Sequence, residues 1–163
     1  MKRFLAAYVI FGTIVFLSSC ENLFDPLEIG EESIPFTTYY GYSVKSSFGE
    51  NDSTYFLAFK DKESFDRVLF RIADHNPNEP IPDNDFKTKI IIAVIKKGNR
   101  FWEMKVDKVT LKENVIYVKY SAKIVADNMS WTAVIPLIFS IPIIEYSSIT
   151  FVENGVTVGS IPN

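Results

Sequence analysis

Cysteine and histidine are nearly absent from this chain of 163 residues, which contains only Cys20 and His75. A single cysteine excludes a disulfide within the chain. One histidine and one thiol argue against a zinc site, which takes three or four Cys, His or carboxylate ligands. Any Ser-His-Asp triad would have to use His75, but this residue lies in a polar loop where a solvated histidine near a helix end is the expected alternative. We therefore predict no enzymatic activity, no metal and no cofactor.

Clusters of basic residues are also missing. The chain has 17 Lys and Arg against 20 Asp and Glu, for a net charge of −3. Nucleic-acid partners require clustered cations that neutralise phosphates. The composition therefore predicts no nucleic-acid binding.

The first twenty residues differ from the rest of the chain. Lys2 and Arg3 supply positive charge, and residues 4–17 form an uncharged, mostly apolar run. This run is too short to cross a bilayer, which takes about 20 apolar residues. A charged start, an apolar run and small residues at its end are typical of a secretory signal peptide. We assign residues 1–19 to that signal.

The residues Leu17-Ser18-Ser19-Cys20 resemble the lipobox of bacterial lipoproteins. The resemblance implies that Cys20 takes a diacylglycerol, that cleavage occurs before it, and that the new amino terminus is acylated. It further implies a lipid-anchored protein of a Gram-negative bacterial membrane, facing the periplasm or the cell surface. More than one acyl chain is enough for stable anchoring. The alternatives are an uncleaved anchor or a eukaryotic signal with an accidental cysteine.

Beyond the signal we predict a flexible tether at residues 20–34 and a single domain at residues 35–163. The tether mixes acidic residues with Pro26 and Gly30 and has no sustained periodicity. Removing Lys2 and Arg3 from the 17 basic residues leaves 15 against 20 acidic ones in the mature chain. The mature chain would therefore be more acidic than the full chain.

One helix is predicted, starting at Asp61. Phe65, Val68, Leu69 and Ile72 follow at the spacing of one helical face. Asp61 is a suitable N-cap, and a loop with three prolines at residues 76–85 ends the pattern.

The remaining segments read as strands. The run IIIAVI at residues 90–95 is typical of a strand buried on both faces, and Asn154-Gly155 is a strong hairpin signal. Pro136 and Pro142 predict an edge strand or two short pieces. The predicted fold class is α+β: a curved, mostly antiparallel sheet of roughly six to eight short strands with one helix packed on it.

The order of these pieces resembles the C-terminal domain of the protease complex subunit PrcB family. The matching stretches include KESFDRVLF, DNDF, IIIAVIKKGN, WEMKVDKV and VIYVKY, and the whole resemblance covers residues 35–151. Members commonly carry a Thr-Gly-Gly-Tyr-like stretch where this chain has Asn99-Arg100-Phe101-Trp102. The resemblance implies association with a partner protein at the cell envelope and transfers no catalytic residues.

Three groups of residues are candidates for a binding site. For a protein partner, the first choice is the turn and strand with Gly98, Arg100, Phe101 and Trp102, where we expect a positive backbone angle at Gly98. Six aromatic residues are candidates for a platform that binds a glycan or a protein, with burial in the core as the alternative for most of them: Tyr39, Tyr40, Tyr42, Phe101, Trp102 and Trp131. A loop rich in oxygen ligands is the candidate for calcium, with solvated loop acids as the alternative: Asp74, Glu79, Asp83, Asn84 and Asp85.

We therefore predict a lipid-anchored, non-catalytic protein-interaction module, accessory to or inhibitory toward a protease. A small-ligand or glycan-binding lipoprotein is the alternative.

Overall fold

The computed structural model describes residues 30–50, 53–72 and 80–163. These residues form eleven strands and two short helices. In chain order they are β1 (Glu32–Ser33), β2 (Thr37–Tyr39), β3 (Tyr42–Val44), β4 (Ser53–Phe59), α1 (Lys62–Val68), β5 (Leu69–Arg71), α2 (Asp85–Thr88), β6 (Lys89–Gly98), β7 (Phe101–Lys112), β8 (Val115–Ala126), β9 (Ala133–Pro142), β10 (Ser148–Glu153) and β11 (Val156–Pro162). The predicted signal peptide, Cys20 and most of the predicted tether lie outside the described residues.

The strands form two main sheets rather than the single curved sheet that we predicted. The five-stranded sheet has the order β1-β7-β8-β10-β11, and the four-stranded sheet has the order β2-β9-β6-β4. All pairings are antiparallel except that of β10 with β8, which is parallel because the chain crosses to β9 in the other sheet between them. A sheet-rich, mostly antiparallel fold with little helix is confirmed.

A sandwich is the physical consequence of β6, which is apolar on both faces. Ile92 and Val94 lie in the core between the two sheets, whereas Ile91, Ala93 and Ile95 lie on the opposite face. Each face of β6 must therefore be buried against another layer of the structure. The continuous apolar run at residues 90–95 correctly predicted this burial.

The outer face of the four-stranded sheet is covered by α1, α2 and the two-stranded sheet of β3 and β5. Phe65 of α1 and Phe86 of α2 both point into this layer, with ring centroids 5.3 Å apart. Val44 of β3 and Leu69 of β5 are paired and buried in the same cluster. The described residues thus form three layers.

The helix begins as predicted but ends earlier. The Asp61 side chain accepts a hydrogen bond from the Ser64 N–H at 2.7 Å, so the predicted N-cap is confirmed. Leu69 is extended and starts β5, which pairs with β3, so the predicted continuation to Ile72 is wrong. Ile72 is exposed, and its N–H donates to Gly41 O. The backbone groups of β3 stabilise an extended chain here more than one further helical turn would.

The strand with two prolines is continuous and lies inside its sheet, so the prediction of an edge strand or two pieces is wrong. β9 lies between β2 and β6. However, β2 pairs only with Ile138–Ser140, so Pro136 and Pro142 lie on stretches that β2 does not cover. At these two positions the missing N–H of proline therefore removes no hydrogen bond between β9 and β2.

The two ends of the sandwich are defined by its hairpins. Asn154 and Gly155 both have positive φ and join β10 to β11 as predicted, while Glu113 and Asn114 make the equivalent turn between β7 and β8. These turns lie at opposite ends of the five-stranded sheet, because β10 runs parallel to β8.

The folded part starts before the predicted boundary at residue 35. Glu32 and Ser33 pair with Leu111 and Thr110 of β7, and Ile34 is buried between the sheets. The three residues were assigned to the tether because acids and isolated apolar residues give no strand signal. No helix within the described ranges is long and apolar enough to span a membrane.

Candidate partner-binding cleft

A cleft with a volume of about 630 Å³ lies at one end of the sandwich. It opens between the two sheets, at the end that holds the β6–β7 and β10–β11 turns. Its lining residues are Ser53, Thr54, Lys96, Lys97, Asn99, Arg100, Trp102, Ala122, Ile124, Glu153 and Asn154. Both sheets therefore contribute to its walls.

A buried ion pair joins the sheets in this cleft. Lys96 Nζ of β6 lies 2.9 Å and 2.8 Å from the two carboxylate oxygens of Glu153 in β10. The Tyr120 hydroxyl of β8 donates to Glu153 Oε2 at 2.7 Å. Burial and this bond to a carboxylate raise the pKa of Tyr120 far above its usual value of 10.0. Glu153 therefore accepts from a neutral phenol and from a cation in the opposite sheet.

Trp102 forms an aromatic wall beside this network. The Lys96 ammonium lies 5.6 Å from the centroid of the Trp102 ring, a cation–π distance. Ile124 pairs with Trp102 across β7 and β8 and is 45% exposed. An apolar surface therefore adjoins the charged centre of the cleft.

The β10–β11 turn is tied to β8, which holds Glu153 in position. Asn154 Nδ2 donates to Ala122 O at 2.9 Å, and the Ala122 N–H donates to Asn154 Oδ1 at 3.1 Å. The Asn154 N–H also donates to Tyr120 O at 3.0 Å. The hairpin signal in the sequence thus also marks one wall of the cleft.

Arg100 and Lys97 are the other two cations of the lining. Arg100 Nε donates to Asp127 at 3.0 Å, and this bond together with the Asn128 N–H lowers the pKa of Asp127. Lys97 Nζ donates to the carbonyl oxygens of Phe48 and Gly49, at 3.2 Å and 2.8 Å. Both cations are held by neighbouring loops at the mouth of the cleft.

Only two of the four residues that we predicted to bind a partner line the cleft. Arg100 and Trp102 line the cleft. Phe101 is 40% exposed and precedes an irregularity in the β7–β8 register. Gly98 is buried in β6 opposite Ala133, and the expected positive φ there is wrong: the β6–β7 turn consists of residues 99 and 100.

Sequence reasoning missed Lys96, Tyr120 and Glu153. They lie on three strands of two sheets, and only the pairing of β8 with β10 brings Tyr120 opposite Glu153. One signal was present, since Lys96 continues an apolar strand and is only 9% exposed. A lysine at a buried strand position needs an acidic partner.

The aromatic candidates do not form one platform. The Tyr39 hydroxyl donates to Asp85 at 2.8 Å, and Tyr42 packs edge-on against Phe65. Tyr40 and Trp131 are 61% and 57% exposed. Only Trp102 of the six lines the cleft.

The calcium hypothesis gains no support from the residues that the structure covers. Asp74, Glu79 and His75 lie outside these residues. Asp85 is engaged by Lys89 at 2.9 Å and by Tyr39, and although burial opposes it, these two bonds lower its pKa. Within the described ranges there is no group of three or more His, Cys, Asp or Glu that could hold a metal ion.

The amino-terminal part of the fold lies at the other end of the molecule. β1 pairs with Thr110 and Leu111, whereas Trp102 is near the start of the same strand. Thr110 lies eight positions after Trp102 on β7, which separates the two residues by roughly 27 Å, at about 3.4 Å per residue. The chain that leads back to Cys20 thus joins the fold far from the cleft.

No protein-family model matches this chain, and comparisons with curated proteins and with solved structures find no significant match.

Proposed function

We propose that this chain is a lipid-anchored envelope protein of a Gram-negative bacterium and that its sheet domain is a non-catalytic module that binds a partner protein. The lipid is on Cys20, after removal of residues 1–19. The domain belongs to the α+β class, with α1 packed on the outer face of the four-stranded sheet, and the burial of Phe65 in one cluster with Ile91 supports this packing.

One observation carries the proposal. Arg100 and Trp102 line the cleft, and the cleft lies at the end of the sandwich opposite β1. A domain tethered through its amino terminus presents that end away from the membrane. A partner therefore reaches the cleft without displacing the anchor.

The resemblance to the PrcB family adds the class of partner. Under it, the module is accessory to an envelope protease or inhibits one. The cleft fits an inhibitor and an accessory subunit equally well, because both roles need only a stable complex with the protease. The proposal has no covalent step.

Affinity capture tests the proposal. Mature protein, anchored through Cys20 to beads, is incubated with envelope extract, and a stoichiometric protein partner is expected. Trp102→Ala and Ile124→Ala should each reduce capture about tenfold, as central aromatic and apolar contacts do. Tyr40→Ala is the matched control, because Tyr40 is exposed on the connection between β2 and β3, away from the cleft.

Two results would contradict the proposal. One is the absence of any stoichiometric partner from the wild-type beads. The other is a partner retained equally by the cleft variants and by Tyr40→Ala. Thermal melting of each variant shows whether a lost interaction reflects a lost fold.

A second candidate is a glycan-binding or small-ligand lipoprotein. The observation that favours it is the concave shape of the cleft, which has an aromatic wall at Trp102 and polar groups around it. Quenching of tryptophan fluorescence by a panel of glycans, lost in Trp102→Phe, would support this candidate. A protein partner that binds while a glycan saturates the cleft would argue against it.

A further inference from the structure

The cleft reverses the charge of the rest of the protein. The chain has a net charge of −3, yet the cleft lining holds Lys96, Lys97 and Arg100 against Glu153 alone. A concave surface of one sign between low-dielectric walls concentrates the field and attracts the opposite charge. The electrostatics of this end of the domain therefore favour an anionic ligand.

The three cations differ in how far they are already neutralised. Lys96 is buried and bonded to both oxygens of Glu153. Arg100 uses only Nε in its pair with Asp127, and the side chains of this pair are 49% and 44% exposed. Such an exposed pair is weak, and the two terminal nitrogens of Arg100 remain for a second acceptor.

Lys97 has donor capacity left in the same way. Its ammonium has three donors, and two are used by the carbonyl oxygens of Phe48 and Gly49. These carbonyls hold the ammonium in position without neutralising it. Lys97 therefore places uncompensated positive charge on the lining, and Arg100 adds a second cation whose partner Asp127 is itself exposed.

Apolar side chains adjoin this charge. Trp102 and Ile124 line the cleft, and Phe101 and Trp131 are exposed at the same end. The β8–β9 loop that carries Trp131 is held against the β6–β7 turn by a bond from the Met129 N–H to Asn99 O at 2.8 Å. A ligand with an apolar side chain next to a carboxylate matches this surface.

We infer that the cleft recognises an acidic peptide segment of the partner, with a carboxylate bound by Arg100 and Lys97 and a neighbouring apolar side chain packed on Trp102 and Ile124. This inference rests on the proposed function and names the chemistry of the partner. Two accessible cations suit single carboxylates rather than a polyphosphate backbone, which requires a longer row of cations.

Selection from a random peptide library tests the inference. Residues 20–163 are coupled through the single thiol of Cys20 to beads, and the library is panned on the wild-type protein. The selected peptides should be enriched in Asp or Glu beside Phe, Leu or Trp. Their affinity should fall as salt is raised, because exposed charge pairs are screened.

The variant K97Q/R100Q should weaken binding of the selected peptides about tenfold or more, the effect of losing charge-assisted bonds. K105Q/K123Q removes the same charge from exposed lysines of β7 and β8 that do not line the cleft. It should change the affinity less than about twofold.

Several outcomes would overturn the inference: no enrichment of acids, equal binding by wild type and K97Q/R100Q, or displacement of the peptides by polygalacturonate at a lower concentration than by the free peptides. An envelope partner that depends on Trp102 but not on Lys97 and Arg100 would overturn this inference alone. Absence of both a partner and a selected peptide would overturn the proposed function as well.

Discussion

Lys96 and Glu153 form an ion pair that connects the two sheets of the sandwich. Lys96 Nζ lies 2.8 Å from Glu153 Oε2, and their side chains are 11% and 19% exposed. Removal of one partner leaves a mostly buried charge without compensation. The pair therefore fixes the position of β6 relative to β10 and, with it, the shape of the cleft.

Lys96→Met should lower the free energy of unfolding by about 3 kcal/mol, because Glu153 loses its cation while remaining buried. K96M/E153Q should recover much of this loss, since the neutral amide still accepts from the Tyr120 hydroxyl. Urea unfolding of the two single variants and the double variant measures the coupling. Additive losses would show that the pair contributes nothing of its own.

Gly159 marks a close approach between the edges of the two sheets. A Cβ built there would lie 2.5 Å from a ring carbon of Phe56, whose ring is stacked on Phe151 at 4.4 Å between centroids. Gly159→Ala should lower the stability by about 1–3 kcal/mol, because the ring has to leave this stack. Ser160→Ala, at the next and exposed position, is the control and should change it by less than about 0.5 kcal/mol. Equal effects would contradict the close contact.

Thr110 is completely buried in β7, and its hydroxyl oxygen has no hydrogen-bond partner among the described residues. An unsatisfied buried hydroxyl costs about 1–3 kcal/mol. Thr110→Val keeps the shape and removes this cost, so it should raise the stability by about 1 kcal/mol in urea unfolding. Thr110→Ala also leaves a cavity and should not stabilise. A destabilised Thr110→Val protein would indicate that a water molecule satisfies the hydroxyl.

Local patterns predicted the elements whose form depends on nearby residues. The run at residues 90–95 predicted a strand buried on both faces, Asp61 predicted the start of α1, and Asn154-Gly155 predicted a hairpin. Each of these signals is complete within a few residues. Together, these local signals predicted a sheet-rich fold.

Elements that depend on distant pairing could not be predicted in this way. Leu69–Arg71 continues a helical pattern and becomes β5 only because β3 offers its backbone groups. The division into two sheets depends on where β9 and β10 are placed, which no short stretch encodes.

The cleft shows the same limit. Arg100 and Trp102 were proposed from a turn next to an aromatic pair, and they line the cleft. Tyr120 and Glu153 were not proposed, because they meet only through the parallel pairing of β8 with β10. A charged residue within an apolar strand, such as Lys96, was the available signal.

Tyr120 should make stability depend on alkaline pH. Its folded pKa is raised above the unfolded value of 10.0, by burial first and then by the bond to Glu153. The stabilisation is therefore complete below the unfolded pKa and is lost as pH rises above 10.0, where the unfolded chain ionises first. Between about pH 9 and about pH 11, wild type should lose about 1 kcal/mol more stability than Tyr120→Phe. Equal losses in urea unfolding of the two proteins would contradict this assignment.

Cys20→Ser tests the anchor independently of the cleft. Cys20 is the only cysteine of the chain, so no other thiol can take its lipid. The variant should lose labelling by a radioactive fatty acid and should move from the membrane fraction to the soluble fraction, because the missing acyl chains remove the proposed hydrophobic attachment. Its thermal melt should match that of wild type, since the described fold begins ten residues later, at Gly30. A Cys20→Ser protein that stays in the membrane fraction would show that another segment holds it there, and the lipid anchor would be wrong.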